Sequence, residues 1–208
     1  MPENSISRRS LTKSAAWSVP VVAVAVAAPM AAASVNTASL AWTASTTSLL
    51  TLNIIDTQTT VTAGALVTVP TQFTLTNGAG AIAGETGVVT IVVSRPAGIN
   101  ITVGTARGFG VRQYNGALTP TGSRSVVYQR ALGQNVGIPT TSYTSQQTFT
   151  VASNGTLNIP VQFGLAGTNS GLGVNALASF PVSLSIAFPD RTLSASTTIS
   201  VPVGAGVL

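Results

Sequence analysis

Beyond residue 33 the sequence carries three carboxylates, Asp56, Glu85 and Asp190, and no His, Cys or Lys. Proton transfer near neutral pH, thiolate attack and activation of a hydroxyl by a His or Lys base all need side chains that are missing. Ser and Thr are abundant, but a hydroxyl without a neighbouring base is a poor nucleophile. A glycosidase needs two carboxylates flanking the scissile bond. Asp56 and Glu85 are the only pair outside the turn at 189–191, and both sit beside turn-like sequence that suits solvated or capping carboxylates. Zinc, copper and iron sites lack their nitrogen and sulfur ligands, and three dispersed acids do not make a calcium loop. The chain is therefore expected to be no enzyme and to hold neither metal nor organic cofactor.

Binding chemistry has more to draw on. Segment 104–148 holds all three Tyr, Tyr114, Tyr128 and Tyr143, together with Arg112 and three further Arg, among many Gly. These Tyr, with Trp42, fall outside the regular inward positions of the strands that can be read. Aromatic faces in loops on a rigid scaffold can stack on sugar rings. Arg112, Tyr114, Tyr128 and Tyr143 are accordingly the candidate ligand-binding residues, with cell-wall polysaccharide as the partner. The Gly-rich stretches 104–110 and 164–173 lack nucleotide-binding spacing and read as loops. Six Arg against three acids leave residues 34–208 with a net charge of +3, too dispersed for a nucleic-acid surface. Two glycosylation sequons, at 100–102 and 154–156, carry little weight by themselves.

The elements that must position these residues follow an unusual leader. Ser7-Arg8-Arg9-Ser10-Leu11-Thr12-Lys13 precedes an Ala/Val run that ends in Ala31-Ala32-Ala33 before Ser34. A basic start, an apolar middle and a small-residue end are the parts of an export signal. The segment resembles signals of the twin-arginine translocation pathway: Ser7, Arg8, Arg9 and Lys13 match, while Leu11 and Thr12 depart from the usual Phe and Leu. It also looks like signals on secreted proteins of high-GC Gram-positive bacteria. The resemblance implies recognition of Arg8, Arg9 and Lys13 by the twin-arginine translocase, export of a folded protein, and cleavage at Ala31, Ala33 and Ser34. The alternative is a retained helical anchor, which Pro20, Pro29 and the many Ala disfavour. The membrane is then met only through this segment, and the domain lies outside the cell, secreted or on its surface. Without Cys there is no lipid attachment site and no disulfide framework, and residues 201–208 show no sorting pattern.

Removing residues 1–33 from 208 leaves 175, enough for one core. Residues 34–48 read as a flexible arm or a first strand, and 49–208 as one domain. Period-2 alternation places Val67, Val69, Phe73 and Leu75 on one face, then Val89, Ile91 and Val93. Asn77-Gly78-Ala79-Gly80 is a turn between them. Segment 104–148 is irregular, with 125–130 as its one clear strand. Leu157, Ile159, Val161, Phe163 and Leu165 alternate inward, and Phe180 to Phe188 pair through a turn with 193–203 as a hairpin. Pro160, Pro181 and Pro202 suggest edge strands or strand ends. No helical periodicity appears after residue 33. The fold expected is all-β, an antiparallel two-sheet immunoglobulin-like sandwich of seven to nine strands behind a signal helix. The run from Phe73 to Gly98 resembles the immunoglobulin-like repeats of bacterial surface proteins, a likeness that carries no functional residues. The function expected is structural or adhesive, including self-assembly if the 34–48 arm adds to a neighbour's sheet edge. Carbohydrate binding is the alternative.

Overall fold

The computed structural model describes residues 37–57, 59–97, 104–170 and 178–201. The export-signal residues Arg8, Arg9 and Lys13, the cleavage residues Ala31, Ala33 and Ser34, and the strand expected at 99–103 lie outside the described residues. Within them the chain is all-β and antiparallel. Its strands are β1 Ser39–Asn53, β2 Thr60–Thr76, β3 Ile82–Val93, β4 Gly108–Tyr114, β5 Ala117–Leu118, β6 Arg124–Ala131, β7 Gln134–Val151, β8 Thr156–Ala166, β9 Ala178–Ala187 and β10 Thr192–Val201. A single 3-10 turn at Thr121–Ser123 joins β5 to β6.

The strands form one hydrogen-bonded path, β5-β4-β8-β2-β10-β9-β3-β7-β6, with β1 added to β2, and the sheet curls into a half-barrel. The curl brings β4 back onto β7. Thr141 on β7 donates its hydroxyl to Phe109 O on β4 at 2.5 Å, and Thr105 bridges Gly137 in parallel. The concave side holds the core. Phe73, Phe109, Phe149 and Phe180 are fully buried, and Phe109 meets Phe180 edge-on with ring centroids 4.9 Å apart. Full burial of each such side chain contributes roughly 1.5–3 kcal/mol.

The alternating positions lie where the sequence places them. Val67, Val69, Phe73 and Leu75 on β2, Val89, Ile91 and Val93 on β3, and the even-numbered apolar residues from Phe180 to Phe188 are all buried. On β8 Ile159, Val161, Phe163 and Leu165 are buried and Leu157 is half-buried against the same core. The expected hairpin is β9–β10, paired in unbroken register from Thr192↔Ala187 to Val201↔Ala178.

Two expectations need correction. Segment 104–148 is mostly strand, since β4 and β6 cross it and β7 begins inside it. Its pattern is hidden because β7 turns polar residues inward: Thr141 is buried beside Tyr143, on the same face as Ser145 and Gln147. Pro160 and Pro181 are not on edge strands. Pro160 stands where β8 leaves β2 and joins β4, and Pro181 lies just past the end of β3 pairing, where its carbonyl accepts from Ser94 N at 2.8 Å. A residue without an N–H is tolerated where the partner changes. Residues 39–48, read as an arm or a first strand, belong to β1 and pair with β2. Ala38, Leu40 and Trp42 draw the strand down by packing on the core.

Candidate functional site

The candidate residues on β4 owe their directions to a β-bulge. Val111 pairs with Phe163 and Gln113 with Gln162, so Arg112 and Gln113 share one partner on β8. A bulge adds a residue and reverses the alternation beyond it. Phe109 and Val111 point inward before it and Tyr114 after it, all buried, while Arg112 is aimed outward. The pairing of β6 with β7 also breaks between Val127 and Gln129, at Tyr128, with the extra residues on β7 between Val136 and Thr140.

Arg112 lines a groove of about 510 Å³ with Asp56, Arg124, Leu118, Pro120 and Thr121. The groove continues into an adjoining pocket of about 260 Å³, which shares Ile55, Asp56, Thr121 and Arg124 and is walled by Val111, Val126 and Ala166. Gly164 admits the fourth wall. A Cβ there would lie 2.6 Å from Asn53 O, so only Gly lets the 53–56 turn rest on β8, where Ile55 N donates to Leu165 O at 2.8 Å. That contact sets Asp56 opposite Arg124.

The groove is cationic and its arginines are held mainly by neutral acceptors. Arg112 Nη1 donates to Gln162 Oε1 at 2.8 Å. Arg124 donates from Nη2 to Thr121 Oγ1 at 3.2 Å and from Nε to Pro120 O at 3.4 Å. Its ion pair with Asp56 is long, at 3.5 Å, and the Asp56 side chain is 54% exposed. Thr119 fixes the rim by donating to Val111 O and Arg112 O at 2.7 and 3.1 Å.

Behind the rim lies the tyrosine pair. Tyr114 and Tyr143 contact with centroids 5.4 Å apart, and both are buried. The Tyr114 hydroxyl donates to Gln147 Oε1. Burial, and secondarily the nearby Tyr143, push this hydroxyl well above the ordinary tyrosine value. Their edges reach a shallower hollow with Leu118, Pro120 and Gln146.

No protein-family model and no curated protein matches this chain. Its chemistry is read from its own side chains.

Of the four expected binding residues, three converge. Arg112 lines the groove, and Tyr114 and Tyr143 lie behind it, with Leu118 and Pro120 shared between the two hollows. Tyr128 is elsewhere: its hydroxyl donates to Ala106 O or Thr168 O and accepts from Thr168 N at 2.8 Å, tying β6 to the loops at 106 and 168. Trp42 packs on Phe73 and Phe163 at 5.7 and 6.2 Å. None of the four aromatics offers a free face for stacking on a sugar, because each is engaged in packing or in a structural hydrogen bond. Arg124 and Asp56 are the groove residues that sequence reasoning missed. Their contact spans β6 and the turn after β1, and no local spacing signals it.

Proposed function

We infer that this chain is an exported, non-enzymatic protein with a structural or adhesive role at the cell surface, built on an immunoglobulin-like β-sandwich. One observation carries the reading. The outward face of β10, β9, β3, β7 and β6 is a neutral lattice of hydroxyls. One row runs Ser194, Ser185, Thr90, Thr144, and the next Ser196, Ser183, Val92, Ser142, Ser125, each residue opposite the one before it. Ser125 and Ser142 hydrogen-bond across it at 2.7 Å. No charged side chain interrupts either row. Such a face suits adhesion through many weak, salt-insensitive hydrogen bonds.

The export part of the reading is supported by the leader's resemblance to twin-arginine signals. Fractionation of cells that express the full chain, followed by intact mass and light scattering, tests both parts. The expected product starts at Ser34 and is held in the envelope, or forms assemblies, after a 1 M NaCl wash. A cytosolic product starting at Met1 overturns export. A monomer free in the medium with no envelope retention overturns the structural or adhesive role.

The alternative, carbohydrate recognition, is favoured by the groove that Arg112 and Arg124 line beside the apolar rim of Leu118 and Pro120.

A further inference from the structure

We propose that the groove between β4, β6 and the 53–56 turn is a binding site for a carboxylate-bearing saccharide, a hexuronate, held by Arg112 and Arg124. This rests on the alternative reading of carbohydrate recognition and names its ligand class and residues. It does not depend on where the protein resides.

The charge count selects the ligand. Two guanidiniums, Arg112 and Arg124, face one carboxylate, Asp56, in the same groove. The net of one positive charge is neutralised by a monoanion and overshot by a phosphate dianion. A guanidinium presents a planar fork that matches a carboxylate bidentately. Both forks are preset by neutral acceptors, Gln162, Thr121 and Pro120 O. The competing carboxylate is weakly engaged at 3.5 Å and lies half in water. A ligand carboxylate can therefore replace Asp56 at Arg124 with little reorganisation.

The walls suit a sugar ring. Ile55, Leu118 and Pro120 offer apolar surface for C–H groups, and Thr121 lines the same wall with a hydroxyl. Leu118 is 55% exposed on the rim, an apolar side chain left in water beside two arginines. A volume of about 510 Å³ lies within the range of small-molecule sites. The bulge at Arg112 is the second mark of a built site. It costs ladder hydrogen bonds on β4, and bulges next to sites re-aim a side chain.

The test is calorimetric titration of protein recovered from cells expressing the full chain, with sodium glucuronate, glucose and inorganic phosphate as separate probes. Glucuronate is expected to bind at least tenfold more tightly than glucose. Arg112→Gln and Arg124→Gln are each expected to weaken it by about tenfold or more, the worth of a charge-assisted hydrogen bond. Asp56→Asn is expected to strengthen it, because the competitor at Arg124 loses its charge. Thermal midpoints measured alongside separate lost binding from lost fold. Glucuronate binding no better than glucose, or not at all, overturns the proposal. So does phosphate binding as tightly as glucuronate, an unchanged affinity in the Arg112→Gln and Arg124→Gln double variant, or weaker binding by Asp56→Asn. If envelope retention in 1 M NaCl persists while glucuronate fails, the adhesive reading survives and the groove assignment falls.

Discussion

Asn77 is a single side chain on which three strands converge. It is 3% exposed, and its amide donates to Val151 O and Ala152 O at 3.2 and 3.1 Å and to Gly80 O. The end of β2, the entry to β3 and the exit of β7 are fastened at one point. Asn77→Asp exchanges the donor for a charge aimed at carbonyl oxygens. It is expected to cost more than about 3 kcal/mol in denaturant titration, and to recover part of that when the acid is protonated. Tyr114 gives a second test at this scale. Its hydroxyl stays protonated in the folded chain when an unfolded one would ionise, so stability is present in full below the ordinary tyrosine value of 10.0 and is lost as pH rises beyond it. Tyr114→Phe is expected to flatten that alkaline loss in melts taken across pH 9 to 12, and to cost about 1 kcal/mol at neutral pH through the hydrogen bond to Gln147.

Among the elements, the strands with clean alternation were legible and the bulged ones were not. On β8 and β9 every inward position is apolar, so a period of two is visible in the letters themselves. On β4 the bulge at Arg112 flips the register between Val111 and Tyr114, and a pattern that changes phase after four residues has no visible period. On β7 the inward positions include Thr141, Ser145 and Gln147; Thr141 and Gln147 hydrogen-bond across the closing sheet, to Phe109 O and from Tyr114. Of the groove, Arg112 was legible from composition, whereas Arg124 and Asp56 required the fold, and the tyrosine pair lies in the hollow behind it. The β6–β7 hairpin carries its own anomaly. Leu132 and Gly133 both have positive φ, 50° and 79°, a two-residue turn that favours Asn-Gly. Leu132 is also fully exposed. Leu132→Asn should therefore stabilise the protein by about 0.5–1 kcal/mol, read as a higher thermal midpoint. Gly164→Ala should act in the opposite sense, costing about 1–3 kcal/mol as the new methyl meets Asn53 O.

The molecule as a whole is held by burial and by the sheet ladder, with little help from charge. Among the described residues the ion pairs are Arg124 with Asp56 and Arg191 with Glu85 and Asp190. The thermal midpoint is expected to shift by only a few degrees between 10 mM and 500 mM NaCl, while Phe180→Ala lowers stability by about 3–5 kcal/mol. The order of strands in the sheet also dictates a biosynthetic timetable. Ser200 on β10 lies against Thr68 on β2, so β2 cannot gain that neighbour until residue 200 has been made. At about 5–20 residues per second, a ribosome takes on the order of ten seconds to travel from one to the other. Gln72 to Thr76 of β2 can meet β8 earlier, once Pro160 has been made, so it is the part of the strand at Thr68 that waits for β10. Closing the sheet path between β2 and β10 is therefore a late event in synthesis.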